Sequence, residues 1–438
     1  MIDIVRGILG LAVIIGIAYA FSSNRKAINW RLVGTGLLIQ FVLAVFILKG
    51  RAMGEVFAPL EWPSIAFTFV SSFFVKVLEF TTEGAAIIFG DLAYGPPAGN
   101  SLGFFFAFQI LPTIVFFASL TTVLYHFGVL QFVVKWMARG MRKALGTSGA
   151  ESLSVVANIF VGQTEAPLVI KPYVDKMTKS ELLAVMTGGM ATIAGGVMAA
   201  YIGMLGAPFA AANGIPIDEA QLKFAEQLLG ASLMAAPAAL LLSKILRPEV
   251  EVPLTKGSVN ISVETTDANV IDAAASGASE GVKLALNVGG MLLAFFALIA
   301  MINALLGAVG GIFGMDYLSI EWILGWVFYP ISVAIGIPLE DSQSVGALIG
   351  TKLVLTEFIS YQNLSDLIAG GSLSTKTIYM STFALCGFAN FSSIAIQIGG
   401  IGGIAPSRKH DLAKFGMLAV LAGTLANLMT ATIAGILF

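Results

Sequence analysis

The sequence has one cysteine, Cys386, and two histidines, His126 and His410. A lone cysteine excludes an intramolecular disulfide, and so few thiols and imidazoles leave no Cys/His cluster of the kind that holds a metal. Charge is scarce too: Asp, Glu, Lys and Arg make up 11% of the 438 residues, against about 25% in an ordinary soluble domain. A net charge of −2 argues against nucleic acid as a partner. What is abundant is apolar surface. Hydrophobic residues are 57% of the chain, more than a soluble fold can hide. They fall in stretches of roughly 20 residues, the length a helix needs to cross a hydrocarbon layer of about 30 Å. No A-x-A-like cleavage site follows the first apolar run, Ile8 to Phe21, so it reads as a retained helix and not a signal peptide.

Candidate spans lie at 4–21, 31–49, 103–127, 180–204, 224–245, 284–313, 378–400 and 412–436, eight in all. Two further apolar stretches, 148–173 and 319–360, are interrupted in the middle by Gly, Pro and polar residues and read as re-entrant hairpins. Orientation supports that reading. Short loops rich in Lys and Arg stay cytoplasmic. Alternate crossing from an external N-terminus puts Arg25–Arg31, Lys135–Lys143, Lys171–Lys179, Lys244–Lys283 and Arg408–Lys414 all inside. Counting either hairpin as a full crossing inverts everything after it. The basic, aromatic segment 130–145 suits a helix lying along the membrane face, and 53–95, broken by Pro59 and Pro63, reads as another interfacial helix plus a loop. The chain thus divides into N-terminal scaffold and interfacial helices (1–147), a first hairpin with the spans after it (148–247), a polar cytoplasmic loop (248–282), and a scaffold helix with the second hairpin and C-terminal spans (283–438).

The most informative string runs from Asn158 to Pro167 and sets Asn158, Gln163, Thr164 and Glu165 beside a helix breaker in an apolar stretch. Lipid cannot satisfy backbone freed by a break, so such a segment lines a cavity or is buried in protein. A carboxylate at membrane depth costs about 2.5–3.5 kcal/mol on insertion scales, which favours a functional Glu165 over a mere cap for the following half-helix. A second polar cluster holds Asn390 and Ser393, three apart and so on one helix face. Glu357 lies in the apolar run before it, five positions from Lys352, which is not helix-neighbour spacing. Each half therefore has an interrupted hairpin bearing a glutamate, followed by a Gly- and Ser/Thr-rich span. That plan is an inverted repeat, and transporters so built bind substrate near the midplane, at breaks in discontinuous helices. Two glutamates, Gln163, Thr164, Asn390 and Ser393 then converge on one cavity, rich in donors and acceptors and lacking a cation for an anionic substrate. The fold class is an all-α polytopic membrane protein with eight transmembrane helices and two re-entrant hairpins.

At these residues the chain resembles the concentrative nucleoside transporters, from Ser22–Asn29 through Gly162-Gln-Thr-Glu-Ala-Pro167 and Gly387-Phe-Ala-Asn390 to Asn427. The resemblance implies a homotrimer in the bacterial cytoplasmic membrane that imports nucleosides, uridine among them, by alternating access. It implies that Gln163, Thr164 and Glu165 recognise the base, that Glu357, Asn390 and Ser393 hold the ribose, and that Phe388 packs beside it. A carboxylate accepting from two sugar hydroxyls fits that division. The family's sodium site maps onto Asn158, Val161, Thr192 and Ile193, two of them through backbone carbonyls. Proton-coupled members also exist, with an intramembrane glutamate as relay. No catalytic residues are expected. An intramembrane enzyme lacks a histidine or cysteine dyad here, and a cation channel, the other rival, would conduct without nucleoside.

Overall fold

A computed structural model describes residues 2–95, 100–256, 267–315 and 317–438, and among them there are helices and no strands. In chain order the helices are α1 (Ile2–Ala20), α2 (Trp30–Gly54), α3 (Trp62–Phe89), α4 (Phe106–Gln109), α5 (Leu111–His126), α6 (Val129–Leu145), α7 (Gly149–Ala157), α8 (Lys171–Val174) and α9 (Lys179–Ala191). The series continues with α10 (Gly195–Asn213), α11 (Ile217–Leu246), α12 (Val270–Ile312), α13 (Ile320–Ala334), α14 (Ser342–Val354), α15 (Glu357–Ala369), α16 (Thr375–Leu385), α17 (Phe391–Ile404) and α18 (Lys409–Leu437). Among the described residues, eight helical segments are long and apolar enough to cross a membrane.

That number matches the expected eight, but the membership differs at two places. Residues 53–95, read as an interfacial helix plus a loop, form the 28-residue helix α3, which is of crossing length. Pro63 does not break it because it sits in the first turn, where a missing N–H costs nothing. Conversely, the expected continuous span 378–400 is two helices, α16 and α17, separated at Cys386–Asn390, where Gly387 takes φ +115°. The span expected at 180–204 is likewise interrupted, between α9 and α10. Boundaries shift elsewhere. The polar loop expected over 248–282 ends earlier, because Asn269 caps α12 by accepting from the N–H groups of Ile271 and Asp272. The interruption expected inside 319–360 falls between α13 and α14, and a second one, at Leu355-Thr356, separates α14 from α15.

The two halves follow one order of elements. In the first, α6 precedes two arms that meet at Thr164-Glu165, then the broken pair α9–α10, then the long α11. In the second, α13 precedes α14 and α15, which meet at Thr356-Glu357, then the broken pair α16–α17, then the long α18. The elements nearest the centre are the most enclosed. The apolar window of α11 is 94% buried within the chain, against 6% for that of α12. α12 meets α5 through Gly277 and Gly281, a small-xxx-small pair. A Cβ at Gly277 would sit 2.8 Å from the Ala118 carbonyl oxygen, and one at Gly281 would sit 2.7 Å from Val115 Cα, so the backbones touch directly. Ser119 Oγ adds a hydrogen bond to the Ala274 carbonyl at 2.8 Å.

Polar groups are paired at the ends of the first half. Ser148 with Glu151 and Thr178 with Glu181 form capping boxes at the starts of α7 and α9. Lys244 of α11 reaches Glu151 at 2.7 Å, with both side chains buried. Arg408 donates to the carbonyls of Val174, Asp175 and Met177, which ties the start of α18 to the segment after α8. Breaking the Lys244 pair leaves a buried carboxylate uncompensated, which costs about 3–5 kcal/mol. Lys244→Met is accordingly expected to lower the unfolding temperature of the detergent-solubilised protein clearly. An unchanged transition would mean that the Lys244–Glu151 pair does not hold in solution.

Candidate functional site

Four interruptions meet in the middle of the chain's packing, and each supplies polar side chains. Gln163 comes from the loop between α7 and the following 3-10 turn. It is buried, and its Nε2 donates to Ser393 Oγ of α17 at 3.2 Å. Gln397, one turn further along α17, donates from Nε2 to Gln163 Oε1 at 3.1 Å and to the Met186 carbonyl of α9 at 3.0 Å. Small residues make room for this. A Cβ at Gly189 would lie 2.9 Å from both Gln163 Cβ and Gln397 Nε2.

A second cluster centres on Glu357, the first residue of α15 and 4% exposed. Its Oε2 accepts from Asn390 Nδ2 at 2.7 Å and its Oε1 from the Tyr201 hydroxyl at 3.1 Å. Asn390 and Ser393 do not simply share a helix face as expected. Asn390 is the N-cap of α17, and its Oδ1 accepts from the Ser393 backbone N–H at 2.9 Å and from Ser392 Oγ at 2.7 Å. The Tyr201 ring stacks on Tyr361 with centroids 4.1 Å apart and meets Phe358 edge-on, which fixes where its hydroxyl points.

Asn390 and Ser393 thus join the Glu357 cluster to the Gln163 cluster across more than two hundred residues of chain. Thr164 and Glu165 stand apart from this network. Thr164 Oγ1 donates to Glu165 Oε1 at 3.1 Å, Glu165 is exposed, and neither caps the following 3-10 turn with its side chain. Phe388 is half-buried in the break between α16 and α17, where its carbonyl accepts from the Asn390 N–H.

The two segments that hold the residues expected at a sodium site lie against each other. The Phe160 carbonyl, between Asn158 and Val161, accepts from the N–H of Gly195 at 3.2 Å, which brings that turn against the α9–α10 break holding Thr192 and Ile193. Asn158 and Thr192 are each 1% exposed. Asn158 Nδ2 donates to the Ser154 carbonyl at 3.0 Å, yet its Oδ1 is buried without a hydrogen bond. A buried acceptor left unpaired is costly, and beside unwound backbone a cation is one group that would satisfy it.

Sequence reasoning missed Tyr201, Gln397 and Asn427. Gln397 was within reach, since it is polar in an apolar helix and four residues beyond Ser393. Asn427 offered the same sign in α18; its Nδ2 donates to the carbonyl of Ala191, the last residue of α9. Tyr201 carries no such sign, because a tyrosine in an apolar helix is ordinary.

Three family descriptions match the chain: "Na+ dependent nucleoside transporter N-terminus" over residues 9–92, "Nucleoside recognition" over 107–208, and "Na+ dependent nucleoside transporter C-terminus" over 227–435. Nucleoside permease NupC of Helicobacter pylori is 41% identical over 98% of this chain and 96% of its own. Sodium/nucleoside cotransporter 1 of Mus musculus is 38% identical over 98% of this chain, which spans 63% of that longer protein. Uncharacterized transporter YutK of Bacillus subtilis is 45% identical over 99% of both chains. Among solved structures, CNTnw in an inward-facing substrate-bound state superposes with a TM-score of 0.85 at 43% identity, covering 99% of this chain and 98% of that one.

Proposed function

Since this chain belongs to the Na+-dependent nucleoside transporter family, we propose that it is a symporter that brings nucleosides, uridine among them, across the bacterial cytoplasmic membrane with sodium. The observation that carries the reading is the network linking Gln163, Gln397 and Ser393 to Asn390, Glu357 and Tyr201. It is buried, neutral but for one carboxylate, and built of amides and hydroxyls that can exchange their bonds to one another for bonds to a ligand. Glu357 and Asn390 suit ribose hydroxyls, Gln163 suits the edge of a base, and Ser393 lies between them. Thr164 and Glu165 enter the site when a base displaces their mutual hydrogen bond, and Phe388 closes it from the break. Sodium sits among Asn158, Val161, Thr192 and Ile193, with the unpaired Asn158 Oδ1 as its first ligand.

The paired segments α7 to α8 and α14 to α15 act as re-entrant hairpins in an inverted repeat. Charge placement supports α3 as a helix of the outer interface, because a ninth crossing there would invert every basic loop after it. The hydrogen bonds between halves favour motion of the two hairpins and their partner helices as one block against α5 and α12. The exposed apolar length of α12 is available for lipid and for the trimer contact that the family resemblance implies.

Uridine uptake into proteoliposomes tests the function, with an inward sodium gradient, a proton gradient or neither. Uptake that needs sodium, and that falls at least tenfold in Asn158→Leu, is the expected result. Uptake driven by protons alone would remove the ion site and keep the nucleoside assignment.

A further inference from the structure

Lys352 is a buried cation with an unusual set of neighbours. It is 2% exposed, and among the described residues its ammonium makes no ion pair. Three neutral oxygens hold it instead: Asn427 Oδ1 at 2.8 Å, the Ala384 carbonyl at 3.1 Å and the Cys386 carbonyl at 3.4 Å. Two of these belong to the end of α16, where the last carbonyls of a helix lack intrahelical donors and carry its partial negative charge. Amide and unwound-backbone oxygens are what a broken helix offers to a free monovalent cation.

The place of this ammonium in the repeat gives it a meaning. In the first half the sodium ligands lie in the first arm and tip, at Asn158 and Val161, and in the break after α9, at Thr192 and Ile193. In the second half Lys352 stands in the last turn of the first arm, α14, four residues before the Thr356-Glu357 tip, and reaches the break after α16. We propose that Lys352 is a tethered cation, whose ammonium takes in the second half the position that a free sodium ion takes in the first. This rests on the sodium reading given above. Asn427 connects the two positions, because its Oδ1 accepts from Lys352 while its Nδ2 donates to the carbonyl of Ala191, beside Thr192. The ammonium fixes which way that amide faces, and the amide holds the end of α9 at the edge of the sodium site. Lys352 is therefore a positioning residue for both broken helices.

Two variants of the full-length purified protein test this. Lys352→Ser removes the ammonium and leaves its oxygens. Methylammonium, the free counterpart of the lysine terminus, is expected to raise the unfolding temperature of this variant by several degrees in a saturable way, with no such response in the wild type. Where Lys352→Ser does not purify as a monodisperse protein, methylammonium present throughout purification is expected to restore it. Absence of any response to methylammonium, sodium or potassium, or of that restoration, would overturn the proposal. Lys352→Met fills the same space without charge, and uridine uptake is expected to fall at least tenfold with the protein still folded and no recovery in methylammonium; wild-type uptake would count decisively against a role for the charge. A parallel Asn158→Leu series separates this idea from its premise. If the sodium site is assigned wrongly, Asn158→Leu and wild type respond alike to sodium, while Lys352→Ser still gains its methylammonium shift.

Discussion

Uridine uptake by Glu357→Gln is expected to fall by about two orders of magnitude or more while the protein remains folded. The side chains are nearly the same size, so packing is preserved and only the bonding changes. Glu357 accepts from Asn390 Nδ2 at one oxygen and from the Tyr201 hydroxyl at the other. A carboxamide must turn its own NH2 toward one of those donors, and hydrogen bonds to a charged group are worth about 1.5–3 kcal/mol each. A hundredfold loss corresponds to about 2.7 kcal/mol, within the reach of one such bond and its unpaired remainder. Stability is expected to change little, because the substitution relieves desolvation of the buried carboxylate but takes from the buried Lys352 ammonium the charge that attracts it without a direct ion pair among the described residues. Proteoliposome uptake and thermal unfolding measured on the same preparation separate the effects. Normal uptake would reduce Glu357 to a packing residue, and lost uptake with a collapsed transition would show only misfolding.

Gly387→Ala is the largest expected structural loss. Its φ of +115° lies where L side chains are strained, and a Cβ there would stand 2.7 Å from both the Ala191 carbonyl oxygen and Asn427 Oδ1. Backbone strain of this kind costs of order 1–3 kcal/mol before the clash is counted. The clash itself pushes on the link between α9 and α18. A fall of many degrees in unfolding temperature is expected, with little protein surviving extraction. Gly399→Ala, at an exposed site in α17 with nothing within 4 Å of the new Cβ, serves as control and should be neutral or slightly stabilising, since Ala exceeds Gly in helix propensity by about 1 kcal/mol. Equal behaviour of the two would mean that the break between α16 and α17 is not held in this shape.

The residues that were legible in the sequence are those that lipid penalises. Glu357, Gln163, Asn390 and Ser393 stand out because polar groups at membrane depth need partners, and the structure gives all four partners within one network. Glu165 stands out for the same reason, and its side-chain hydrogen bond is with Thr164, outside that network. The interruption at Thr192–Ala194 and the one at Cys386–Asn390 were harder to see. The first contains no proline and the second only one glycine, so apolar composition alone made continuous spans of both. Residues 62–89 hold a helix as expected, and only its length was hidden, because a proline in a first turn looks the same in sequence as one in a loop. Lys352 drew notice for its spacing from Glu357, but its true neighbours come from α16 and α18 and could not be read from spacing.

The contact between α5 and α12 carries a mechanical consequence. At Gly277 and Gly281 the α12 backbone meets the backbone of α5 and only its short side chains, Thr122 and Ala118, so the pair has little room in which to yield. α12 has 43 residues, about 64 Å at about 1.5 Å each, twice the thickness of the hydrocarbon layer at about 30 Å. It must either lean far from the membrane normal or stand well clear of the bilayer as a stalk. Where it leans, it forms an oblique rail. The start of α10 meets α5, the helix joined to that rail, at Gly195 and Gly196, where a Cβ at Gly195 would overlap the Phe117 ring. If the block moves as proposed, travel along an inclined track changes depth and bearing together, so the block would turn like a thread as it rises, and the site would open to the two faces of the membrane in different directions.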